Sequence, residues 1–414
     1  MRVLAGLKLG RGSGRRRTRC IAPSLALLLI VSGLVCVSIM SVGDAFAGGQ
    51  LPRRAPLVTR RVYQRPSKSL AASTPFAGVS SSVMLLNLVT MLFGSNQVLI
   101  KTLETDDAVS GAMDSMLCMS LRFGIATLAL GAAILACRIH ASRSSPQPSP
   151  SSSVALVDSN AGETGLSFVA GAVELSVWLF LGFVAQAIGL QYTTASAGAL
   201  LGSLTVVVVP LLSLLEGRQI VKSTWASVGL ALLGTALFVG PGAFDGALEG
   251  VGDGLELASA VLFAVQLWRC EKIARGLPEH RLAELTCLQL ALVTLLSCAC
   301  LAFEGWSVPG LLDTMAAWPA SEWMQVAVMG LVTTAFCLWA EAQALRDVDA
   351  APAALIYACE PIWGAIFAFL WRGEAPGSPL AIGGGIFLLM ASAAGVWATS
   401  QGEQNQPCQS PGTQ

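Results

Sequence analysis

Three ionisable side chains stand inside otherwise apolar stretches of this chain: Arg122, Glu341 and Glu360. Lys101 and Glu174 lie nearer the ends of such stretches. A charge in a medium that cannot solvate it is costly, so these positions default to function. They could line a polar cavity, hold a substrate of opposite charge, or carry a proton. Glu360 precedes Pro361, which takes a donor out of the helix ladder. The competing reading is structural, each carboxylate being satisfied by Arg122, another polar group or a nearby loop. Uncharged candidates occupy the same stretches: Asn96, Gln97, Trp178, Gln186, Gln266, Trp268, Trp339 and Tyr357. Asn96, Gln186, Gln266 and Tyr357 join Glu341 and Glu360 as the expected substrate pathway. For the tryptophans, a place at the membrane interface is explanation enough.

The elements that must position these groups are long and apolar. The chain is 54% hydrophobic and 12% charged, where a soluble domain carries about 25% charged residues. A helix needs about 20 apolar residues to cross the hydrocarbon. Ten such spans are predicted, near 83–103, 114–137, 168–190, 195–215, 224–240, 254–274, 283–303, 323–345, 351–371 and 379–398. Short connections suit antiparallel neighbours. One is long, 138–165, and its Ser and Pro content predicts a disordered surface loop. Gly198 and Gly202 have the spacing that lets helices approach closely.

Basic residues orient the spans. Arg138, Arg143, Arg218, Lys222, Arg269, Lys272, Arg275, Arg281 and Arg346 all fall on one side of the predicted bundle. The other side carries acidic clusters such as Asp106/Asp107 and Asp245/Glu249/Asp253. By the positive-inside rule the basic side faces the cytosol, or the stroma of a plastid.

Residues 1–81 are built differently, with 13 of the 25 Lys/Arg and a single acid, Asp44. A basic start, the apolar run Ile21–Met40 and Ala45-Phe46-Ala47 have a signal-peptide layout over 1–47. An anchor helix is the alternative. Residues 48–81 are basic, Ser/Thr-containing and free of acids, as in a transit peptide. Together they resemble the bipartite leaders of algae with complex plastids, which implies a plastid envelope. Otherwise an endomembrane or the plasma membrane is the destination.

No cofactor chemistry is expected. The 11 cysteines mostly sit in apolar runs without ligand spacing, and His140 and His280 lie in loops. There is no phosphate-binding Gly-rich loop, and the basic leader is explained by targeting rather than nucleic acid. The partners expected are the lipid bilayer and a small-molecule substrate, with a homodimer left open.

The ten spans divide into two fives. Leu190–Leu201 aligns without gaps on Leu345–Ile356 at an offset of 155 residues, with Leu190/Leu345, Ala195/Ala350, Ala199/Ala354 and Leu200/Leu355 identical. Five helices per half is odd, so the halves would have opposite topology, as in secondary transporters. The expected fold is all-α and polytopic, with repeats at 82–240 and 252–398 and a polar tail at 399–414.

At these residues the chain resembles the EamA branch of the drug/metabolite transporter superfamily. Phe93-Gly94-Ser95-Asn96 through Lys101 looks like that family's first-helix signature, and Leu121-Arg122-Phe123 its second. Gly189-Leu190-Gln191-Tyr192-Thr193-Thr194-Ala195-Ser196-Ala197 is similar to its turn between helices three and four. Gly252-Asp253, Glu360-Pro361 and Gly373-Glu374 complete the set. The first half departs from it in Glu216-Gly217 and in the late position of Pro210. The resemblance implies an ATP-independent transporter rather than an enzyme.

Three rival readings remain. Gly250-Val251-Gly252-Asp253 matches the Gly-x-Gly-Asp of intramembrane aspartyl proteases, but no Tyr-Asp partner exists to complete a dyad. Plastid sugar-phosphate and nucleotide-sugar translocators would want Lys/Arg in the late spans, where only Arg346 and Arg372 stand at margins. That favours a neutral, zwitterionic or cationic metabolite. A non-transporting membrane scaffold is the third.

Overall fold

A computed structural model describes residues 81–105, 115–144, 161–193, 195–240, 250–303, 307–373 and 379–404. The leader, the acidic pairs at 106–107 and 245/249, and most of the polar tail lie outside the described residues. Among the described residues, ten helices are long and apolar enough to cross a membrane. They are span 1 (Ser81–Ile100), span 2 (Met116–Arg143), span 3 (Ser167–Leu190), span 4 (Ala197–Leu215) and span 5 (Lys222–Val239). Span 6 (Val251–Gly276), span 7 (Glu279–Phe303), span 8 (Ala320–Ala344), span 9 (Ala350–Trp371) and span 10 (Pro379–Trp397) follow. Each overlaps its predicted stretch. The span 2 helix continues through Ser144 and the span 3 helix begins at Ala161, so both intrude on the segment expected to be disordered.

In lipid, helices gain little by hiding apolar surface from one another, so close packing and polar contacts must hold the bundle together. Span 3 lies along span 6, span 2 along span 7, span 1 along spans 8 and 9, and span 5 along span 10. Span 4 also packs on span 6. Where spans 5 and 10 cross, a Cβ on Gly384 would sit 2.4 Å from the Phe238 amide nitrogen, so only glycine permits that approach. The predicted Gly198/Gly202 packing face is corrected. A Cβ on Gly198 would meet Leu190 at 2.9 Å, but Gly202 faces open space. Large apolar side chains such as Leu128, Leu181, Leu233, Leu295 and Ile386 remain exposed on the outer faces, where acyl chains suit them.

Two spans are interrupted. Span 4 belongs to helices Ala195–Gly202 and Thr205–Leu215, and span 9 to Ala350–Tyr357 and Glu360–Arg372. Their starts are separated by the same 155 residues found in the sequence. Freed backbone groups inside a membrane must find other partners. At the first break the Ser203 and Thr205 hydroxyls donate to the Leu200 and Gly202 carbonyls, at 2.6 and 2.8 Å. At the second, Pro361 occupies the first turn of the new helix, where its missing N–H is no loss. Span 8 has a third irregularity, a widened π-helical stretch over Met329–Phe336. Such stretches often occur at functional sites.

Candidate functional site

Spans 6, 8 and 9 converge on Glu341. Its side chain is buried, and each carboxylate oxygen is engaged: Gln266 Nε2 donates to Oε1 at 3.3 Å and the Tyr357 hydroxyl to Oε2 at 2.9 Å. Tyr357 is the last residue before the break in span 9, so the break fixes where its ring ends up. Phe93 of span 1 meets that ring edge-on at 5.9 Å. Hydrogen bonds to a carboxylate are the stronger kind, and here they come from neutral donors alone.

One turn further along spans 1 and 9 lies a second polar layer. Gln97 Nε2 donates to Glu360 Oε1 at 3.0 Å. Glu360 opens the second half of span 9, where the free amides at a helix N-terminus favour an acid. Span 1 can reach it because Gly94 has no side chain. A Cβ there would stand 2.9 Å from the Glu360 carbonyl oxygen and 2.7 Å from the Gly364 amide nitrogen. Beside this layer the Thr333 hydroxyl, on the widened stretch of span 8, lies 2.8 Å from Asn96 Oδ1.

Five of the six expected pathway residues thus belong to these two layers: Asn96, Gln266, Glu341, Tyr357 and Glu360. Gln186 of span 3 is half-buried and makes no side-chain hydrogen bond to them among the described residues. Arg122 is not the partner of either carboxylate. It is buried, its guanidinium 4.8 Å from the Phe123 ring centroid and 4.6 Å from that of Phe183. Its Nε makes no hydrogen bond, and among the described residues two aromatic rings hold it by cation–π contact with no ion pair.

The basic end of the bundle is tied shut by charge. Glu271, fully buried, lies 2.6 Å from Arg218 and 2.5 Å from Arg275, and its second oxygen accepts the Ala350 amide at 2.9 Å. Arg275 reaches Asp349 at 2.7 Å, Lys272 reaches Glu216 at 2.8 Å, and Ser82 donates to Asp347 at 2.7 Å. The two connections, 4–5 and 8–9, are thereby fastened to the ends of spans 1 and 6. Burial pushes the Glu216 carboxyl up, but the Lys272 hydrogen bond and the charges of Arg218 and Lys272 outweigh it and hold it below its usual value. Burial works to lower Arg218, yet hydrogen bonding and charge from Glu271 raise it overall. Arg269 pairs with Glu174 across spans 6 and 3, so Glu174 is structurally employed.

Two of these residues were not legible as site members. Thr333 had only the signal of a Thr pair in an apolar run. Glu271 stands one turn from Arg275 in the sequence, and nothing in its spacing announced contact with Arg218 or Ala350. Gln97 was legible only as one polar residue among several. No group of three His, Cys, Asp or Glu suited to a metal occurs among the described residues. Chemically, the two layers offer carboxylates, amides and a phenol with no cationic partner among the described residues, a surface suited to polar or positively charged groups.

Residues 252–397 match the model of the EamA-like transporter family. No curated protein matches the chain. A solved structure, described only as the crystal structure of a protein, is similar with a TM-score of 0.54 at 19% identity, covering 78% of this chain and 99% of its own. At that identity the likeness concerns the fold, and it extends over nearly all of the other chain.

Proposed function

We propose, from the match of residues 252–397 to the EamA-like transporter family, that this integral membrane protein is a secondary transporter of small organic metabolites. It works without ATP, by alternating access between two inverted five-helix halves. The observation that carries this reading is the two-layer polar cluster of Gln266, Glu341 and Tyr357 beside Gln97 and Glu360. It lies at an interrupted helix, the kind of place where transporters of inverted-repeat design bind their cargo. The inversion is supported by the equal 155-residue offset of both helix breaks. It is supported again by packing: 1 on 9 answers 6 on 4, and 3 on 6 answers 8 on 1.

The substrate class follows from charge. Glu341 and Glu360 have no Lys or Arg partner among the described residues, which favours an amino acid or small amine over a phosphorylated sugar. The full chain, reconstituted in liposomes without ATP, is offered labelled amines, amino acids and sugar phosphates. Uptake of an amine or amino acid is expected. Uptake of sugar phosphates alone overturns the substrate class, and no uptake of any compound returns the protein to the scaffold reading. The membrane is proposed to be a plastid envelope, tested by fusing residues 1–81 to a fluorescent protein; arrest in the endomembranes removes the plastid.

A further inference from the structure

At the opposite end of span 6 from Glu271, Glu256 is only 1% exposed. Its Oε1 makes no hydrogen bond, and it takes part in no ion pair among the described residues. The room it fills is made by two glycines. A Cβ on Gly189, at the end of span 3, would stand 2.9 Å from Oε1, and one on Gly198, at the start of span 4, 3.5 Å from the carboxyl carbon. Tyr192 and Thr193, which follow span 3, pack on span 6 beside this socket. The Thr193 hydroxyl donates to Asp253, one turn before Glu256, and a Cβ on Gly252 would stand 2.7 Å from the Tyr192 carbonyl carbon.

Among the described residues, the titratable group that faces Glu256 is Asp253, on span 6 itself, and it carries the same sign. Residues 181–192 supply no charged group, and their Tyr192 is exposed. Residues 195–215 supply none at all. An ionised carboxylate here would be dry, unpaired and next to a second acid, an arrangement too costly to persist. The neutral acid carries only the smaller cost of an unbonded polar group.

We infer that Glu256 is a proton-binding site that latches this end of the bundle, the turn between spans 3 and 4 seating on span 6 only over the protonated acid. When the latch lifts, water enters, the O–H bond breaks, and the proton leaves to solvent on that side while its electron pair stays on the carboxylate. Acid on that face therefore closes the end and alkali opens it. The inference rests on the alternating-access reading for its use in transport, but not for its detection.

Two measurements on the full chain test it. In lipid nanodiscs, backbone hydrogen exchange of residues 188–198 and 250–258 is followed against pH, corrected for intrinsic rates. The wild type is expected to open more as pH rises, by about tenfold per unit, the limit for one proton. Glu256→Gln is expected to stay closed at every pH, and Glu256→Asp to keep a displaced response. Protection that ignores pH in the wild type, or a wild-type response in Glu256→Gln, overturns the latch. In liposomes, pH is varied on one face at a time for whichever panel compound is taken up. Uptake should respond to pH on the latch face, and Glu256→Gln should lose that response. A panel with no uptake but a pH-dependent opening retires the transport reading and keeps the latch.

Discussion

Span 6 has a buried glutamate near each end, and the two are accommodated in opposite ways. Glu271 is surrounded by Arg218, Arg275 and the Ala350 amide, so its charge is neutralised where it stands. Glu256, about 22 Å away along the helix at 1.5 Å per residue, has two glycines and another acid. Similar burial therefore has different consequences. The basic end is fastened by charge that must be broken to open it. The other end is fastened by the lack of charge, and a change of pH suffices. A bundle with such ends can be released at each by a different signal.

The largest test of this contrast is Glu271→Gln. Removing the buried charge that Arg218 and Arg275 share leaves them only their outer partners Glu216 and Asp349, and the cost is expected at the lower end of the range for a broken buried pair, about 3 kcal/mol. A marked fall in the thermal unfolding midpoint of the purified protein is expected, whereas Glu256→Gln, which removes an unpaired acid, should leave it unchanged or raised. Equal destabilisation by the two would erase the distinction between the ends.

Next comes the site between them. Glu341→Gln should fold normally yet change substrate affinity or the pH profile of uptake. Tyr357→Phe removes a hydrogen bond to a carboxylate, an interaction worth about 1.5–3 kcal/mol, and should shift the same readouts by roughly tenfold. Full activity and an unaltered pH profile in Glu341→Gln would remove that residue from the mechanism.

A smaller effect separates Gly189, which lines the Glu256 socket, from Gly202 of span 4, which does not. Gly189→Ala should destabilise by about 1–3 kcal/mol, the range for overpacking, because its new methyl meets the Glu256 carboxylate. Gly202→Ala, facing open space, should stay within about 0.5 kcal/mol of wild type. Unfolding midpoints of both variants decide this, and parity between them would mean that no socket exists.

The smallest concerns Glu216. Its carboxyl is held below its ordinary value, so its ion pairs add stability above the unfolded value and lose it as pH falls through the folded one. Because the Glu216 side chain is a third exposed and screened, the contribution should be under about 1 kcal/mol. Midpoints of wild type and Glu216→Gln compared from neutral to acid pH should differ slightly at neutrality and converge in acid.

Much of this arrangement was visible in the residues. Span lengths followed from apolar runs, because a bilayer sets one thickness for all of them. Glu341 and Glu360 stood out because charge is rare in such runs. The 155-residue offset was present in twelve aligned residues before it reappeared as two helix breaks. Gln266 could be named as polar and interior, though not as the donor to Glu341. Gly202, by contrast, was misread as half of a packing pair with Gly198, since spacing along one helix does not say which neighbour each glycine faces.

The amino-acid order determined how many helices cross, which end carries the basic groups and which polar residues enter the membrane. Those properties are one-dimensional, set by hydropathy and charge within a single segment. Pairing was decided in three dimensions. Whether a buried carboxylate meets two arginines, a phenol or two bare glycines depends on helices drawn from distant parts of the chain. Glu256 and Glu271 are the same residue on the same helix, and their neighbours alone made one a fastener and the other a latch.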